Sequence, residues 1–192
     1  MRLLILFFLL STNLFAKNRD SVFVRLNTYE VMYSEKLEQP LWVAYNVRCP
    51  EGNYPRTGMD FYSNDSIHTS DSKDYTNNVF DKGHLAPAAD FNCDRQTLLS
   101  TFSYLNCALQ NQYLNRGVWK SLEEYERELA KKYPIVEIKV LCKFSQKSVK
   151  LKSGATVPDG FYKIIKYQNT TLTFYFPNQT PKFTDYMKYL VK

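Results

Sequence analysis

Three short stretches of this chain gather side chains able to do chemistry. The first is Asp81-Lys82-Gly83-His84-Leu85-Ala86-Pro87-Ala88-Ala89-Asp90-Phe91. His84 is one of only 2 histidines. An imidazole near its ordinary pKa can take a proton from water at neutral pH, which is the task of a general base. The second stretch is Leu105-Asn106 with Leu114-Asn115-Arg116-Gly117-Val118-Trp119. The amide oxygen of Asn115 is a hard ligand suited to Mg²⁺, a cation that keeps most of its waters and accepts few protein ligands. The third is Glu123 with Arg127, four residues apart. Asn115 and Glu123 are eight apart, so on a continuous helix they project within about 80° of one another. Each group also has an ordinary structural reading: His84 as a packed core residue, Asn115 as a helix cap, Glu123 with Arg127 as an ion pair along a helix. The other histidine, His68, lies in the polar loop Ser66 to Tyr75 with no motif around it.

These groups need elements to hold them. The clearest is a helix from about Leu114 to Lys132, where Trp119, Leu122, Tyr125 and Leu129 recur at three- and four-residue spacing. Glu123, Glu124 and Glu126 sit early in it and Lys131 and Lys132 at its end, as the helix dipole favours. Asp94 is placed to cap a second helix running toward Phe102. Leu41 to Arg48 and Ile135 to Cys142 read as strands, and Phe161 to Tyr167 with Thr171 to Phe176 as a hairpin over Gln168-Asn169-Thr170. Between Cys49 and Asp81 the residues are those of loops. With no repeat and no linker, one α+β domain over residues 17–192 is expected. It should be a central, mostly antiparallel sheet with the helix packed on it, and His84 should end a strand and face Asn115 across a cleft.

In order and spacing these segments resemble the DNA/RNA non-specific endonuclease family, the ββα-metal (His-Me finger) nucleases. The family's Asp-Arg-Gly-His-Leu-Ala-Pro-Ala-Ala-Asp-Phe is present with one change, Lys82 for Arg. Leu105 to Gln110 stands where the family has Ser-Asn followed by Pro-Gln, and Leu114 to Trp119 with Leu122-Glu123 matches in register. Further likeness lies in Trp42-Val43-Ala44-Tyr45, the Arg56 to Asp65 loop, Val157 to Lys163 and Pro177 to Pro181, so it covers roughly residues 40 to 185. The resemblance implies an endonuclease that cuts DNA and RNA with little sequence preference and leaves 5′-phosphates. It implies His84 as general base, Asn115 as the direct ligand of one hydrated Mg²⁺ (with Mn²⁺ as a substitute), and Glu123 and Asp81 as residues acting on the metal through water. Asn106 is expected to hold His84 or the substrate phosphate. Arg56, Lys82 and Arg127 are expected to neutralise phosphate charge. Lys82 is a point charge and cannot make the two-pronged contact of Arg.

The composition of this 192-residue chain fits a globular protein: 44% hydrophobic, 23% charged, with only 6 Gly and 8 Pro. Collagen-like, low-complexity and multispan membrane classes are excluded. Net charge is +6, and from Lys131 to Lys192 twelve Lys face three acids. Mild basicity suits a polyanion partner. The rival expectation is a secreted polyanion-binding protein on a catalytically weakened nuclease fold. Arg2, the apolar run Leu3 to Leu10 and Ala16 have the layout of a signal peptide over residues 1–16. Export to a secreted or periplasmic location gives the 4 cysteines an oxidising setting. Three pairings are possible. Cys49 and Cys93 flank the motif in loops and Cys107 and Cys142 lie on core segments, so Cys49–Cys93 and Cys107–Cys142 is the pairing expected.

Overall fold

The computed structural model describes residues 20–191. The proposed signal segment, residues 1–16, lies outside them. Six strands form one antiparallel sheet: β1 (Val22–Arg25), β2 (Tyr29–Ser34), β3 (Gln39–Asn46), β6 (Glu137–Lys143), β7 (Gly160–Tyr167) and β8 (Thr170–Pro177), hydrogen-bonded in that order. A separate antiparallel pair joins β4 (Phe80–His84) to β5 (Cys107–Asn111). Between these two strands lies α1 (Arg95–Ser100), and after β5 the chain runs through a single helical turn, α2 (Gln112–Leu114), to the long helix α3 (Lys120–Lys132). The order β4, β5, helix is the ββα unit that the resemblance implied.

Alternation in the sheet strands sends one set of side chains inward. Tyr29, Val31, Val43, Tyr45, Ile138, Val140, Phe161, Ile165, Phe174 and Phe176 are all buried on one face. Against that face pack Trp119, at the end of the turn before α3, and Leu122 of α3, both fully buried, with Leu129 of α3 nearly so. The Trp119 ring meets Phe161 and Phe176 edge-on, each 5.5 Å between centroids. Burying Leu122 alone is worth about 1.5–3 kcal/mol. Among the described residues no helix is long and apolar enough to cross a membrane.

The expected strands are present, shifted by one or two residues, and the β7–β8 hairpin turns at Gln168, whose φ is 48°. Asp94 caps α1 by accepting from the backbone N–H of Gln96 and Thr97, although α1 ends at Ser100 rather than near Phe102. The expected continuous helix from Leu114 to Lys132 is broken. Asn115–Trp119 forms a wide π-type turn in which Gly117 leaves helical φ/ψ. The straight-helix angle between Asn115 and Glu123 therefore does not apply.

The cysteine pairing was half right. Cys49 and Cys93 are bridged, with Cα atoms 5.6 Å apart. Cys107 and Cys142 are free and buried. They sit on different sheets, Cys107 at the start of β5 and Cys142 on β6. Cys107 Sγ instead donates to Tyr75 Oη at 3.2 Å. Burial pushes both thiols up in pKa, so they are poor nucleophiles and behave as small core residues.

Candidate active site

β4 ends at His84, and the preceding glycine has a steric reason. A Cβ on Gly83 would lie 2.5 Å from Gln110 Oε1 and 2.6 Å from Gln110 Cβ, because β5 passes close beside it. Only glycine lets this pair close and present His84 at the strand end. The segment after His84 is braced by Asn106, which is fully buried. Its carboxamide accepts from Ala86 N–H at 2.8 Å and donates to the carbonyls of Ala86 and Thr101, each at 2.9 Å. Asn106 was expected to hold His84 or the substrate phosphate; these three bonds go to peptide groups, so what it holds here is the backbone two residues after His84.

The imidazole of His84 stands against the rings of Phe61 and Phe102, at 4.7 and 4.9 Å between centroids. Its Nε2 is sealed from solvent and has no hydrogen-bond partner among the described residues. Nδ1 is then the ring nitrogen left to serve the cavity. Burial first, and the charge of Arg56 second, push its pKa down to about 3. The side chain is therefore neutral, with a lone pair available, at any ordinary pH. An imidazole held below its unfolded value near 6.5 contributes stability that is complete above that pH and is lost as pH falls toward about 3. We predict a wild-type loss of up to about 1.4 kcal/mol per pH unit through this window, and a shallower loss in His84→Gln. Urea midpoints at pH 7 and pH 4.5 test it: equal losses in both proteins would show that the imidazole titrates normally.

Asn115 and Asp81 form the facing wall. Asn115 Nδ2 donates to Asp81 Oδ2 at 2.9 Å. A carboxylate only accepts, so the amide nitrogen must face Asp81, which leaves Asn115 Oδ1 as the free donor atom. Arg116 holds the same carboxylate with two prongs, Nε to Oδ2 at 2.8 Å and Nη2 to Oδ1 at 2.6 Å. Asp81, expected to act on the metal through water, has its side-chain contacts with Asn115 and Arg116. Lys82 is paired with Asp60 at 3.2 Å and lies over the rings of Phe61 and Tyr104. It does not line the cavity, so its predicted phosphate contact has no geometric support.

A cavity of about 350 Å³ joins what remains: Arg56, His84, Asn115, Lys120, Glu123 and Arg127 all line it. Behind it lies a buried ionic cluster that sequence reasoning missed. Arg127 Nη1 donates to the fully buried Asp90 Oδ1 at 3.0 Å, so the ordinary reading of Arg127 as the helix partner of Glu123 does not hold. Lys163, also fully buried, sits 2.8 Å from Glu126 Oε1, 4.0 Å from Glu123 Oε1 and 4.2 Å from the centre of the Trp119 ring. Tyr45 Oη donates to Glu126 Oε2 at 2.9 Å. Burial pushes Glu123 up to about 7, with Lys163 lowering and Glu126 raising it. A cation in the cavity would favour the ionised carboxylate. The one signal for this cluster was Lys163, a charged residue at an inward phase of an alternating strand.

The donor set fits a hydrated hard cation. Among the described residues no group of three or more His, Cys, Asp and Glu side chains could hold a metal. Asn115 Oδ1 and the Glu123 carboxylate are oxygen donors, and a Mg²⁺ between them would keep most of its waters.

An antiparallel sheet, a ββα unit and a histidine at the end of its first strand, facing an asparagine on the following turn, define a ββα-metal nuclease fold. The sequence matches the DNA/RNA non-specific endonuclease family over residues 10–192, and the chain belongs to that family. Endonuclease G of Bos taurus is 34% identical over 117 residues, 58% of this chain and 39% of the relative. The mitochondrial nuclease of Saccharomyces cerevisiae is 32% identical over 114 residues, 55% of this chain and 34% of the relative. A nuclease of Nostoc is 28% identical over 153 residues, 76% of this chain and 54% of the relative. The chain therefore spans between a third and just over half of these relatives' lengths. The structure is also similar to Endonuclease G in its crystallised complex with EndoGI, with a TM-score of 0.80 and 25% identity over 88% of this chain and 80% of that one.

Proposed function

We propose that this protein is a Mg²⁺-dependent endonuclease, with Mn²⁺ as a substitute, hydrolysing phosphodiester bonds of DNA and RNA with little sequence preference. The observation that carries the reading is the convergence of His84, Asn115 and Glu123 with the cations Arg56 and Arg127 on one cavity. His84 takes a proton from water at Nδ1 as the water oxygen bonds to phosphorus. The bond from phosphorus to the 3′ oxygen then breaks; the departing oxygen takes a proton from solvent, giving a 3′-hydroxyl and a 5′-phosphate, and His84 releases its proton to solvent. Asn115 Oδ1 would hold a hydrated cation directly and Glu123 would hold it through water; bound there, it would supply positive charge to the phosphate. Asp81 orients the Asn115 amide and acts on the metal site only through it. Arg56 and Arg127 face the same negative charge, and Arg127 is held in place by Asp90.

We further read the protein as exported, secreted or periplasmic. The Arg2 and Leu3 to Leu10 pattern and the Cys49–Cys93 bridge support this. Its substrates are held chiefly through phosphates, so activity should fall steeply with salt. The test is incubation with plasmid, single-stranded DNA and RNA, with Mg²⁺ or with EDTA, from 50 to 200 mM salt. Digestion of all three with Mg²⁺ and none with EDTA is expected. Tight binding without any cutting would favour a polyanion-binding protein on a weakened fold instead.

A further inference from the structure

The cavity lies on the side of the sheet that carries the helix, and the opposite face of the sheet takes no part in it. Pairing across that outer face puts Phe23 opposite Met32, Met32 opposite Trp42, Trp42 opposite Leu141, Leu141 opposite Tyr162 and Tyr162 opposite Tyr175. Directly opposed residues point to the same face. These six side chains therefore form one unbroken row, one from every strand, across about 24 Å at the usual strand spacing. None of them is buried, and Phe23 is 47% exposed, whereas their neighbours Val31, Val43, Val140 and Phe161 are fully buried on the other face. An outward row is normally polar in an antiparallel sheet with one solvated face. A contiguous apolar patch of this kind marks an interaction surface.

The rings and the charges decide what it fits. Phe23 and Trp42 have centroids 6.0 Å apart, and Tyr162 and Tyr175 lie 4.6 Å apart. A cation stands over each pair: Lys139 Nζ is 4.3 Å from the Trp42 ring, the Arg25 guanidinium 5.7 Å from Phe23, and Lys143 Nζ 5.1 Å from Tyr175. No acid lies in the row. Along one side, over β1 to β7, it borders a cavity of about 470 Å³ whose lining includes Arg25, Arg48, Lys139 and Lys166, against the acids Glu30 and Glu137. Aromatic faces on a sheet, three of the four beside a cation, suit a partner with flat rings and regularly spaced negative charge. We propose that this outer face is a second nucleic-acid site, a stacking platform for single-stranded DNA or RNA separate from the cleavage cavity. Bases lie on the rings, and the Lys and Arg head groups move from the rings to the phosphates. A duplex keeps its bases inside the stack and cannot use such a platform.

The test uses the full chain carrying His84→Ala, in EDTA, so its outcome does not depend on cleavage or on metal. The protein has 2 Trp, and Trp119 is fully buried, so quenching of tryptophan emission by an added strand reports on Trp42. A twelve-residue oligothymidylate should quench it, whereas a duplex of equal length and inorganic polyphosphate should not. Trp42→Phe should abolish the quenching. Tyr162→Ser with Tyr175→Ser should weaken oligothymidylate binding roughly tenfold or more by fluorescence anisotropy, and plasmid cutting by the same double variant with His84 intact should be unchanged. Lys139→Glu with Lys143→Glu leaves the apolar row in place and should weaken the same binding, which guards against misfolding of the tyrosine variant. Equal quenching by duplex or polyphosphate would overturn the proposal. So would a concentration-dependent dimer that both variants dissociate while oligothymidylate affinity stays the same.

Discussion

His84→Ala is expected to cut plasmid DNA in Mg²⁺ roughly 10²–10⁴-fold more slowly than the wild type, the range that general-base catalysis contributes. DNA binding in EDTA should persist, because Arg56 and Arg127 remain in the cavity. The imidazole has no competing duties: among the described residues Nε2 has no hydrogen-bond partner, and burial against the Phe61 and Phe102 rings keeps the side chain neutral. The control is His68→Ala. His68 is 70% exposed and touches Glu38 at 3.2 Å on the surface, so its loss should be nearly silent. Plasmid relaxation rates for the three proteins decide the matter. A dead His68 variant beside a fully active His84 variant would move the base elsewhere.

The second large effect concerns the amide that faces the base. Asn115→Ala removes the oxygen donor and should lower activity by at least the roughly 10–100-fold that losing an outer partner of a metal site costs. Raising Mg²⁺ should recover part of that loss, whereas it should recover none in His84→Ala. The hydrogen bond from Asn115 to Asp81 adds a sharper expectation. Asp81→Ala keeps the donor but frees the amide to rotate and releases Arg116 from its two-pronged contact. Its activity should fall roughly 10–100-fold, with the same partial recovery at high Mg²⁺. The Mg²⁺ concentration giving half-maximal cutting is the measurement. An Asp81→Ala protein with wild-type Mg²⁺ dependence would refute the orienting role.

Much of the scaffold is written in local pattern. The Trp119, Leu122, Leu129 stripe predicts α3 because a helix face repeats every 3.6 residues, and the same logic at period two predicts β3, β6, β7 and β8. Asp94 announces its cap by residue type alone. β1 and β2 were not anticipated, and neither was β5, where all five residues are buried and no alternation exists to read. β4 is legible only at its end, as the strand that His84 closes. Phe80 to His84 carries a glycine and two charges, which in isolation are loop residues, and its extent is set by pairing with β5.

The order of Asp81 to Phe91, Asn106, Leu114 to Trp119 and Glu123 along the chain is enough to indicate family and fold class. It could not say which of those residues meet. Lys82, adjacent to the base in sequence, is drawn to Asp60 and two aromatic rings. Asn106 is used on backbone peptides. Arg127 turns from Glu123, one helical turn away, to Asp90, thirty-seven residues distant. Cys107 and Cys142, apolar in habit as thiols, stay apart on two sheets. Each outcome is a choice among partners brought close by strands and helices far apart in the chain. A buried charge or polar group must find a partner once water is gone, and which partner is within reach is a property of the packed structure, not of the neighbouring residues in the sequence.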